Sequence, residues 1–120
     1  MRDAKIWRDE LFSEIRTISN RFELNRLWSG VDKKWVSSFA EEVEHVFSDF
    51  DIDAFLAADQ SVTQLTPDQL AALRAFRDAL ASYVSKLSRP TSRISYQDVL
   101  LDPAWEPVMR AAANFAQMVD

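Results

Sequence analysis

The sequence predicts an all-α protein, a single compact helical bundle of four main helices with one or two short ones. Three observations predict it. Apolar residues recur at steps of three and four through most of the 120 residues, the spacing of one helix face. Glycine occurs once, at position 30, and proline four times, whereas a β-sandwich or barrel needs a turn about every 8–12 residues. Strand-like alternation of polar and apolar residues is confined to one stretch, "DFDIDAF", Asp49 to Phe55. No repeat, linker or low-complexity tract divides the chain, so residues 1–120 read as one domain.

Trp7, Leu11, Ile15, Ile18 and Phe22, with Ile6 and Phe12 beside them, form the stripe of a first helix. It starts near residue 3, with a break expected at Ser19-Asn20. "FELNRLW" continues helical and stops at Ser29-Gly30, where glycine suits the position just past a helix end. A second stripe runs through Trp35, Phe39, Val43, Val46 or Phe47, and Phe50. Its helix begins at Asp32, or at Ser38, which forms a capping box with Glu41. Asp51 caps a short helix, "IDAFLAAD". "LTPDQLAALRAF" is the clearest boundary: Thr66 is a natural N-cap, Pro67 fits the first helical position and Asp68 suits the helix dipole. Leu70, Leu73, Phe76, Leu80, Tyr83, Val84 and Leu87 carry that stripe to the stop at Pro90. "SYQD" opens a short helical turn through Leu101. Asp102-Pro103 caps the last helix, with Trp105, Val108 or Met109, Ala112, Phe115 and Val119 facing inward.

Composition excludes several chemistries. Apolar residues make up 48% and charged residues 28%, an ordinary globular balance. No apolar run approaches membrane-spanning length. The first residues lack the apolar core of a secretory signal, and a cytoplasmic location is the expectation. The chain has no cysteine, hence no disulfide, thiolate nucleophile or zinc–thiolate site. One glycine cannot write a P-loop or a dinucleotide fingerprint. One histidine, His45, leaves serine chemistry a single possible imidazole base, and no serine sits in a G-x-S-x-G elbow. The chain reads as no enzyme, and no cofactor is expected.

The net charge of −5 is local. Residues 31–60 hold eight acidic and two basic groups, while residues 1–30 hold five and six, and residues 61–120 six of each. An acidic surface repels phosphate backbones, so no nucleic-acid partner is expected. Within the acidic segment, Asp49, Asp51 and Asp53 occupy positions 1, 3 and 5 of a calcium loop. Ala54 stands where the loop needs glycine and Gln60 where it needs a bidentate glutamate, so the loop fails. Glu42 and His45 form a Glu-x-x-His pair, but a di-iron bundle needs two such pairs and this chain has one histidine. No dedicated metal site is expected; Glu41, His45 and Asp49 are the weak candidates. His45 itself reads as a surface histidine on a solvated acidic face.

The acidic face is the remaining candidate. Glu41, Glu44, His45 and Ser48 lie opposite the apolar stripe, Glu42 flanks them, and Asp49, Asp51 and Asp53 extend the charge. None has a basic partner four residues on, and like charges left together weaken a helix slightly. Steering toward a basic partner explains keeping them. Glu41, Glu42, Glu44, Asp49, Asp51 and Asp53 are the expected contacts, with Trp28, beside the Ser29-Gly30 stop, as a partly exposed anchor.

"FAEEVEHVFSDFDIDAFL", "LTPDQLAALRAFRDAL" and "LDPAWEPVMRAAANFA" together resemble the small acidic helical immunity proteins of bacterial toxin systems, those of contact-dependent growth inhibition above all. The resemblance covers roughly Trp35 to Ala116. It implies a stoichiometric inhibitor of a cognate toxin, often a nuclease, whose basic cleft an acidic face can occupy. Two other readings stand beside it: a self-associating structural or regulatory helical module, and a weakly divalent-metal-dependent protein. The oligomeric state is not legible in the sequence.

Overall fold

The computed structural model describes residues 3–29 and 38–119. The expectations placed on Gly30, Asp32 and Trp35, and on the side chain of Phe22, lie outside what is described. Among the described residues there is no strand, and the all-α prediction holds.

Helix α1, Ala4–Ile18, starts at Asp3, whose carboxylate accepts the Ile6 N–H at 3.0 Å. It buries Leu11, Ile15 and Ile18 and half-buries Trp7 and Phe12, while Ile6 turns to solvent. The break falls at Ser19-Asn20 without glycine. Asn20 then accepts the Glu23 N–H and opens α2, Arg21–Ser29. Ser38 caps α3, Phe39–Glu44, by accepting the Glu41 N–H at 3.2 Å. The helix then widens into a π-helical turn, His45–Asp49, closed by the Phe50 N–H on the His45 carbonyl at 2.8 Å.

Asp51 caps α4, Ile52–Ala57, from a left-handed backbone with φ 45°. A one-turn helix that the sequence reading did not include, α5, Gln60–Thr63, ends at Gln64, also left-handed with φ 53°. Helix α6, Pro67–Ser85, opens with a complete capping box: Thr66 Oγ1 accepts the Gln69 N–H at 3.1 Å and the Gln69 side chain accepts the Thr66 N–H at 2.9 Å. A 3₁₀ turn, Thr91–Arg93, leads to α7, Tyr96–Leu101, capped by Ser95. Asp102-Pro103 opens a 3₁₀ turn, Pro103–Trp105, and that turn runs into α8, Glu106–Val119.

Three helices set the frame. Gln69 at the start of α6 donates to the Met118 carbonyl near the end of α8 at 2.8 Å. At the other end the Tyr83 ring lies 5.1 Å from Trp105. Hence α6 and α8 run antiparallel. Phe12 of α1 meets Phe115 at 5.1 Å, and Arg21, just beyond α1, pairs with Glu106, so α1 is also antiparallel to α8.

Aromatic rings fill the core in two knots. Phe12 and Phe55 join Trp7 and Phe115 in one; Trp28, Phe39, Tyr83 and Trp105 form the other, mostly edge to face. Such geometry adds about 0.5–1.5 kcal/mol per pair beyond burial. The expectation of a partly exposed Trp28 is overturned: it is 6% exposed, with Phe39 at 5.9 Å and Trp105 at 6.4 Å. Its indole is core, because α2 turns this face onto the second knot.

Candidate functional site

The acidic segment divides when it folds. Glu41 and Glu44 are exposed on α3. Glu42 is not: at 5% exposed it shares a face with Phe39 and Val46, three before and four after it. The expected docking contact at Glu42 is therefore corrected, since a residue at that phase of α3 points at the core. Asp51 spends its Oδ1 on the Ala54 N–H at 3.2 Å, as a cap.

Asp53 is engaged from a distance. Arg77 of α6 donates to it through Nε at 2.8 Å and through a second nitrogen at 3.4 Å, while its guanidinium lies 5.7 Å over the Phe47 ring. Both side chains are more than a third exposed, so this pair stabilises by at most about 1 kcal/mol. A partner on another helix was outside the reach of a search four residues along.

His45 is held rather than solvated, with its side chain 35% exposed. Nδ1 lies 3.5 Å from Oε1 of Glu14, and Nε2 lies 3.6 Å from Oδ2 of Asp49. The π turn also brings Phe50, five residues on, to 6.0 Å from the imidazole. In an α-helix, at 3.6 residues per turn, the fifth residue would point well away. Burial pushes the Glu14 carboxyl above its ordinary value; His45 pulls it down and the Asp49 charge adds to the rise.

The cluster differs from the sequence candidates. Glu14, Glu42 and His45 bring one ligand atom each within 4.8 Å of one another. Glu41 stands outside this group, on the solvent side of α3, and Asp49 faces the other imidazole nitrogen. Glu14 was missed because it is on another helix, 31 positions away. One signal was available: Glu14 sits three after Leu11 and four before Ile18, on the buried stripe itself.

Beside the cluster, Asp9, Glu10, Ser13, Glu14 and Phe50 line an open groove of about 410 Å³. Asp9, Glu10, Glu41 and Glu44 make no ion pair among the described residues. Away from this region, Tyr83 donates to Asp102 at 3.0 Å beside a second hollow of about 390 Å³. Among the described residues no helix is long and apolar enough to cross a membrane. Comparison with the models of known protein families, with characterised proteins and with solved structures gives no match.

Proposed function

We propose that this chain is a non-enzymatic binding protein of the antitoxin-like immunity type, docking a basic partner protein such as a toxin domain. One observation carries the reading: α1 and α3 expose four carboxylates, Asp9, Glu10, Glu41 and Glu44, that make no ion pair among the described residues, two of them lining an open groove. Asp9 and Glu10 border the groove. Glu41 and Glu44 extend the charge along α3, and Asp49 is 56% exposed next to His45. With Glu42 buried, Asp51 capping and Asp53 paired, the docking set becomes Glu41, Glu44 and Asp49 joined by Asp9 and Glu10. Unpaired charges on a surface raise association rates with an oppositely charged partner, and salt removes that gain.

The test is a pull-down from the source organism's lysate at low salt, with wild type beside a D9N/E10Q/E41Q/E44Q variant. Capture of one basic protein by the wild type alone, weakening as salt rises, is the expected result. Equal capture by both proteins would overturn the acidic docking face. Self-association is the alternative with its own observation: Leu101 is 79% exposed, in a hollow of about 490 Å³ with Arg21, Asn25 and Leu100. A dimer in sedimentation of the protein alone, lost in L101S, would favour it.

A further inference from the structure

We propose that Glu14, Glu42 and His45 form a mononuclear site for a first-row divalent metal ion, zinc or manganese, clasping α1 to α3. The inference is independent of the docking reading, and its test needs no partner protein.

The donors come from two helices and converge inside the surface. Glu42 and His45 are three residues apart, so they share one face of a helix. Glu14 approaches from α1, and the three ligand atoms lie within 4.8 Å of one another. The spacing suits an ion: bonds of about 2.1 Å in a tetrahedron put ligands roughly 3.4 Å apart, and Glu14 Oε1 is 3.5 Å from His45 Nδ1. A closing of up to about 1.4 Å by the side chains brings the widest pair to that edge.

The burial is that of a built site. Glu42 is 5% exposed, and the Glu14 side chain 15% exposed. Oε1 of Glu14 is shielded from solvent and makes no hydrogen bond among the described residues, with the His45 Nδ1 ion-pair contact at 3.5 Å. A carboxylate oxygen in that state is costly unless a cation or a donor meets it.

Asp49 supplies the support that metal-bound histidines use. With Nδ1 turned to the ion, Nε2–H points at the Asp49 carboxylate 3.6 Å away. Two carboxylate oxygens and one imidazole nitrogen, without thiolate, suit zinc, manganese or ferrous iron better than calcium, which takes six to eight oxygens. Three protein ligands leave a coordination position for water.

The full chain, freed of metal with a chelator, is titrated with ZnCl₂ and separately with MnCl₂. Calorimetry follows the zinc and manganese titrations, and ¹⁵N NMR of the imidazole follows zinc. His45 is the chain's one histidine, so its ring signals report the site without assignment. The expected result is 1:1 binding of at least one of the two ions, a zinc-induced shift of Nδ1, and a melting temperature that rises with metal. E14Q and E42Q each abolish binding, D49N weakens it about ten-fold, and E41Q binds as wild type. If E42Q fails to fold by circular dichroism, the less buried E14Q decides. No binding of either ion by wild type would overturn the proposal, as would undiminished binding in E14Q or an imidazole unmoved by saturating zinc.

Discussion

Replacing Trp105 by phenylalanine should leave stability nearly unchanged, whereas alanine at the same position should cost about 3–5 kcal/mol. Trp105 is 1% exposed and touches Trp28, Phe39 and Tyr83. Its Nε1–H is buried with no hydrogen-bond acceptor among the described residues. Phenylalanine deletes about two buried ring carbons, a loss of about 1.6 kcal/mol at ~0.8 kcal/mol each. It also deletes the unsatisfied N–H, a relief of about 1–3 kcal/mol. The two effects largely offset, and the net change falls within about 1.5 kcal/mol of zero. Alanine makes the same relief but opens a large cavity beneath three other rings, and the cavity wins. Urea unfolding followed by far-ultraviolet circular dichroism measures both variants. At roughly 4 °C per kcal/mol, a thermal melt separates them as well. A phenylalanine variant as unstable as the alanine one would refute the reasoning: the indole N–H would then be satisfied, or the knot unable to close around a smaller ring.

Three further outcomes follow from the fold. Thr66→Ala removes one half of the α6 capping box and should cost about 1 kcal/mol in urea unfolding. Arg77→Ala should cost no more than about 1 kcal/mol through its exposed pair with Asp53, and that cost should shrink in 1 M salt, since the surface pair is screened. Tyr83 has its hydroxyl pushed well above the ordinary 10.0, by burial first and then by the bond to Asp102. The folded state thus keeps a proton that the unfolded chain loses. Its contribution is complete below about pH 10 and declines as pH rises above it. Tyr83→Phe should flatten that alkaline decline in a series of urea midpoints between about pH 8 and 11.

Most helix starts were legible because they use local chemistry. Ser38, Asp51, Thr66, Ser95 and Asp102 each accept an N–H two or three residues ahead, and that pattern is written in the chain. The break after Ile18 was legible for the same reason. The Gln69 half of the capping box was within reach and went unread. Two features had no local signature. The π turn has no residue-type signature, whereas the inward face of Glu42 follows the ordinary helical period from Phe39 to Val46 and went unread. The site was half visible, as Glu42 and His45 on one helix. Its third member comes from α1, and the Arg77 that claims Asp53 comes from α6. Only tertiary packing brings those residues to the acidic segment.

The π turn also bears on how tolerant this chain is of changes in its own length. Such a turn amounts to an α-helix holding one residue more than its winding needs. Losing a residue between Val46 and Ser48 would let the segment rewind as plain α-helix instead of dragging the downstream chain out of place. Glu42 and His45 would keep their spacing of three. Asp49 and Phe50 would then stand three and four residues after His45, the spacings that face each other in an α-helix, so the carboxylate and the ring would stay beside the imidazole. A single deletion can thus remove the π turn while sparing both the fold and the surroundings of His45, and lineages of this sequence have room to vary there by one residue.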